Sequence, residues 1–188
     1  MLLCALFLLL TACGLLIVQE RSVQRAEAES DEALRMLQSL LPEQLSCSNN
    51  EESKLCLPVI QLSGGDYAGV ISFCDDAPEP CILPLLAESE SYGPAVLWQD
   101  TEANRLAVRY TDIPLKLQPQ LQMDVGQRIT ICSVTGIRYA FRIADSLQCR
   151  SPKALPDTPE MSAAPLLLFL RGSGQRGYTV YVCNREEL

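Results

Sequence analysis

Residues 2–18 carry no charged side chain, and they run directly into a charged stretch that has neither Gly nor Pro from Gln19 to Leu41. At ~1.5 Å per residue the apolar run reaches about 26 Å, the short end of what crosses a bilayer. Beyond it, Val23, Ala26, Ala33, Leu37 and Leu40 recur at helical spacing, Leu34 and Leu41 widen the stripe, and Pro42 ends it. The pattern predicts one continuous helix. Its first part, 1–18, is an apolar membrane anchor or signal, and 19–42 is its amphipathic continuation. Residues 43–188 then form a β-rich extracytoplasmic domain.

Two other fates of the first segment stay open. Leu10-Thr11-Ala12-Cys13, with Gly14 behind it, matches the pattern of a bacterial lipobox. That makes Cys13 a lipidation site and the protein an envelope lipoprotein. A cleaved export signal is the other alternative, although no basic residue precedes the apolar run.

The charge excludes some functions. All charged side chains lie beyond Val18, and the chain is acidic, with net charge −8. Such a surface repels phosphates, so no nucleic-acid partner is expected. Histidine is absent altogether, which removes His-dependent base, triad and zinc chemistry. A Cys or Ser nucleophile would need another activator, and only Lys54, Lys116 and Lys153 are available. Adjacent acids such as Asp75 and Asp76 point apart in extended chain and make a poor acid–base pair. The expectation is therefore a protein that is not an enzyme and has no cofactor.

Cysteine is abundant. After Cys4 and Cys13 come Cys47, Cys56, Cys74, Cys81, Cys132, Cys149 and Cys183, with no close CxxC pair. Behind an apolar N-terminus this density reads as disulfides in an oxidising compartment rather than as a metal site. Loops 47–56 and 74–81 are the shortest closures, a pair among Cys132, Cys149 and Cys183 is expected near the C-terminus, and the odd number leaves one thiol over.

Past the polar loop 43–56 the period changes from 3.6 to 2. Segments 57–62 and 67–73 are short strands, and 95–110 is a hairpin turning near Asp100–Asn104. A second hairpin turns at Thr135-Gly136, with Ile137, Tyr139, Phe141 and Ile143 on one face and Arg138 and Arg142 on the other. The third turns through the glycines of 172–177, after the irregular, proline-rich 151–165. That glycine turn lacks the Lys-Ser/Thr ending of a phosphate loop. Arg105, Arg109, Arg138 and Arg142 are read as the solvent face of an amphipathic sheet.

The expected fold is thus α+β: a long N-terminal membrane-anchored helix packed on an antiparallel, disulfide-bonded sheet. In this the chain resembles the type IV minor pilins and the type II secretion pseudopilins. Ala68-Gly69 followed by Cys74, and Leu106-Ala107-Val108-Arg109-Tyr110, look like short motifs of those subunits, while Ala5 stands where the family carries a glutamate. The resemblance implies a structural or assembly subunit of a bacterial pilus-like filament, a single-pass inner-membrane protein with its C-terminal domain outside the cytoplasm. Its partners would be the membrane, through residues 2–18, and other envelope or pilus subunits. The alternative is a periplasmic lipoprotein, held through Cys13, that acts as an accessory or inhibitory binder.

Overall fold

The structure is a computed structural model. It describes residues 28, 31–40, 46–47, 55–62, 65–73, 81–87, 95–110, 123–151, 159–171 and 176–186. The strands are β1 (Ser46–Cys47), β2 (Ile60–Leu62), β3 (Gly65–Phe73), β4 (Cys81–Ala87), β5 (Ala95–Asp100), β6 (Arg105–Tyr110), β7 (Arg128–Ser133), β8 (Ile137–Cys149), β9 (Leu166–Leu170) and β10 (Tyr178–Glu186). Two helices accompany them, α1 over residues 31–40 and the short α2 (Pro159–Ala163).

The sheet does not lie open under a helix. Its path runs β8-β10-β9-β6-β5-β4-β3, and β7 pairs with both β3 and β8, which closes an eight-stranded barrel. β1 adds to β8 in parallel and β2 adds to β3 antiparallel, both outside that ring. Closure gives the apolar alternation somewhere to go. Leu106, Val108 and Tyr110 point inward with Ile129, Ile131, Tyr139, Phe141 and Ile143, and Leu166, Leu168, Tyr181 and Cys183 meet them in one core. Phe73 and Tyr110 pack edge to face there, 5.5 Å between ring centroids.

All three expected hairpins form, as antiparallel pairs β5–β6, β7–β8 and β9–β10. Asp100 shapes the first turn by accepting from the backbone amides of Glu102 and Ala103, and Asn104 completes it with a φ of 51°. The hairpins are then joined by parallel pairs, β4–β5 and β6–β9, which periodicity could not reveal.

This corrects the α+β fold with a sheet-packing helix. The described part is mostly β, because the sheet buries its apolar face inside itself. α1 covers only one outer patch, with Ala33 and Leu37 against Tyr67, Val70, Leu86 and Cys132. A second outer patch lies under α2 and its flank, where Met161 and Ala164 meet Leu167, Phe169, Val180 and Val182. Among the described residues no helix is long and apolar enough to cross a membrane, so the single-pass inner-membrane localisation has no helix here to carry it. The anchor 2–18 and Cys13 lie outside the described residues.

The disulfide expectation is corrected too. Cys56, Cys81, Cys132, Cys149 and Cys183 are free thiols, and each expected closure needs at least one of them. Geometry forbids the C-terminal pairing. Cys183 faces the core, whereas Cys132 and Cys149 pack in clusters outside it. On β10, Cys149 is opposite Tyr178, five residues from Cys183, or about 16 Å along the strand.

Ala68-Gly69 has a structural reason unrelated to pilins. The β3–β4 register shifts between Tyr67 and Gly69, a bulge, and Gly69 takes a φ of 150°. A Cβ there would stand 2.0 Å from the carbonyl oxygen of Cys132, so the backbones of β3 and β7 meet where only glycine fits. Gly69→Ala is expected to cost at least about 2–3 kcal/mol through strain at the closing seam. Urea unfolding measures this; an unchanged midpoint would mean the seam is not under this constraint.

Candidate functional site

The seam that closes the barrel also sets a cysteine across from an arginine. The β7–β8 hairpin turns through Thr135-Gly136, and its register sets Cys132 directly across from Arg138. Direct cross-strand neighbours bring Cβ atoms to about 4.5–5.5 Å. Ser133 organises the turn: its hydroxyl accepts from the Ile137 amide at 3.1 Å and lies 2.9 Å from the Thr135 hydroxyl, and its carbonyl accepts from Gly136. On the other side Val134 donates its amide to the Ala68 carbonyl at 3.1 Å. Both neighbours of β7 therefore hold the Cys132 backbone in place.

Cys132 is on the outer face, 7% exposed, beneath Leu37 of α1. Burial pushes its thiol above the ordinary value of 9.0, and the Arg138 charge opposes that rise. Its Sγ–H points to the Ser133 carbonyl at 3.8 Å. The Arg138 Nε is buried and has no hydrogen-bond partner among the described residues. A guanidinium held there, beside a thiol, favours the thiolate and can take up negative charge developing on an oxygen.

The remaining cysteines differ. Cys183 sits in the core with its thiol pushed up to about 12 by burial alone, and Cys81 is buried in the same core. Cys149 is half-buried, its thiol raised by burial and eased by a backbone hydrogen bond from Ser151. Cys56 is exposed. Of Cys47 only the backbone is described, in β1, and Cys74 lies outside the described residues.

Of the four arginines read as the solvent face, Arg142 is exposed, whereas Arg105, Arg109 and Arg138 are half-buried. Arg109 stacks over Trp98 at 4.7 Å from the ring centroid, with a buried Nε, and Arg105 pairs with Asp100 at 3.5 Å. An open groove of about 230 Å³ lies beside them on the far side of the barrel, lined by Trp98, Asp100, Arg105, Ala107 and Phe169, without a nucleophile.

Sequence reasoning missed the Cys132–Arg138 pair because it looked for a histidine partner. The signal was present: residues whose numbers straddle a turn centred on Thr135 face one another, and 132 and 138 do.

No protein-family model matches the sequence, and no curated protein matches it. Solved structures do. Sortase C1 of Streptococcus agalactiae, as its complex with MTSET, has a TM-score of 0.52 at 11% identity, over 88% of this chain and 89% of that one. Sortase C of Streptococcus pneumoniae has a TM-score of 0.48 at 11% identity, over 85% and 88%. A lid mutant of Corynebacterium diphtheriae sortase A has 0.48 at 9%, over 74% and 75%. The likeness is one of fold: this is a sortase-like β-barrel.

That finding overturns the pilin resemblance, and with it the filament-subunit function. The lipoprotein alternative gains no support either. The expectation of a protein that is not an enzyme is corrected with them, since the barrel is similar to that of a family of enzymes.

Thiol mapping with iodoacetamide should modify exposed Cys56 first and Cys132 slowly, with a rate that climbs past pH 9. Cys183 should stay unmodified until the protein unfolds. Because the Arg138 charge lowers the Cys132 thiol, Arg138→Gln should move the Cys132 profile to higher pH; a shift to lower pH would contradict the electrostatics.

Proposed function

We propose that the protein is a sortase-like cysteine transpeptidase, with Cys132 as nucleophile and Arg138 as the charge that steadies the thiolate and the oxyanion. The observation that carries this reading is the Cys132–Arg138 rung on the outer face of β7–β8, in a barrel whose fold is similar to that of a sortase. The substrate class that goes with such a site is a polypeptide, a pilin to be cross-linked or a protein to be anchored to the cell wall.

The chemistry needs only these groups and the substrates. The Cys132 thiolate attacks the scissile carbonyl carbon, and its oxygen takes the negative charge facing Arg138. The C–N bond breaks, the leaving amine takes up a proton, and a thioester on Sγ remains. A second amine attacks that thioester, loses its proton to water, and frees the thiolate.

Two features set this site apart. No histidine exists to take the thiol proton, so deprotonation falls to water or to the incoming amine. The thiol also lies under α1, so Leu37 and Ala33 must lift before a carbonyl reaches Sγ. The protein rests in a closed, protonated state.

Transfer of a labelled polypeptide to an amine acceptor is the test, read by mass as a thioester on Cys132 and as ligated product. Cys132→Ala should abolish both, and Arg138→Gln should lower the rate by about 10²-fold, the scale of losing one oxyanion donor. The rate should rise with pH along a single ascending limb, since the thiol must lose its proton. Leu37→Asp should speed alkylation of Cys132 by unseating α1. Ligation that persists in Cys132→Ala would sink the reading.

A further inference from the structure

The outer row of β6 reads Arg105, Ala107, Arg109, so one small side chain stands between two long ones. Each arginine is about 7 Å from it along the strand. The neighbouring strands flank that gap with bulk, since Trp98 of β5 and Leu167 of β9 are both in register with Ala107. Phe169, the register partner of Arg109, adds a second aromatic ring. The result is the open groove of about 230 Å³, with Ala107 at its base.

The two arginines differ in how their charge is met. Arg105 pairs with Asp100 at 3.5 Å and donates to the Met161 carbonyl at 3.4 Å. The Arg109 guanidinium carbon lies 4.7 Å from the Trp98 ring centroid, but among the described residues no carboxylate pairs with it. Its Nε is buried and has no hydrogen-bond partner. A donor taken out of water and given no acceptor costs stability, and an anion from outside removes that cost. Trp98 and Phe169, the neighbours of Arg109, both line the groove, so this uncompensated charge stands at its edge.

We propose that the groove is a binding site for a small monocarboxylic acid with an apolar body, one aromatic ring or a branched chain. The carboxylate meets Arg109, whose planar fork matches it with two parallel hydrogen bonds. The body lies over Ala107, between Trp98 and Phe169. One negative charge is enough, because Asp100 already meets Arg105 at the other end. The site is independent of Cys132, which lies across the barrel on β7.

Trp98 is the only tryptophan in the chain, so its fluorescence reads this site alone. The full chain is titrated with phenylpropionate, with its neutral analogue phenylpropanol, and with acetate. Phenylpropionate should give a saturable change, and phenylpropanol should bind about tenfold more weakly for want of the charge-assisted hydrogen bonds. Acetate, which has no apolar body, should give no saturable change over the same range. High salt should weaken the acid and spare the alcohol. Arg109→Gln should lower the acid to the affinity of the alcohol, and Ala107→Leu, which fills the groove, should abolish binding of both. Cys132→Ala should leave every titration as it was.

Equal affinity for acid and alcohol, acid binding that survives Arg109→Gln, or the lack of any saturable change overturns the proposal. So does a titration lost in Cys132→Ala, which would put the ligand elsewhere. If the groove substitutions unfold the barrel, the acid–alcohol comparison and its salt dependence decide the matter on the unaltered protein.

Discussion

The contact between the β3 backbone at Gly69 and the β7 backbone at Cys132 is where the rest of the molecule is decided. β7 is the last strand needed to close the sheet, and it can reach β3 only because no Cβ stands in the way of the Cys132 carbonyl. With that seam shut, the inward rows of eight strands meet in one core and the ring has no free edge to pair with another chain. The same seam fixes Cys132 from both sides, through β3 and through the tight β8 turn. Fold closure and the placement of the thiol are one event.

The thiol is held in tension between two opposing influences. Burial under α1 disfavours the thiolate, and Arg138 favours it. Removing the cover relieves the first and leaves the second, so exposure of the Cys132 thiol and a lower pKa for it go together. A chain without histidine gains from this arrangement, since it lacks the group that would otherwise hold a proton near neutral pH. The core cysteine, Cys183, shows the contrast: burial alone acts on its thiol and pushes it up to about 12.

Charge is distributed along the site in the same manner. At one end of the outer face the Arg138 guanidinium stands across from the Cys132 thiol, and at the other Arg128 and Arg142 share the Glu186 carboxylate of β10.

Much of the local structure was legible in the sequence. Alternation over 95–110, 128–143 and 166–183 gives the hairpins and their inward rows, because a strand has a period of two whatever it packs against. What alternation cannot say is where that apolar face goes, and a helix-covered sheet and a closed barrel present the same pattern. The parallel joins β4–β5 and β6–β9, the closure through β7, and the small share of the sheet that α1 covers depend on contacts far apart in sequence, so only the tertiary structure decided them. The cysteines show the same division. Their number was plain, but whether they pair depends on which side of the barrel wall each one faces, and the wall separates Cys183 from Cys132. The sequence by itself determined that no histidine would serve any site; the fold decided that a cysteine and an arginine would meet without one.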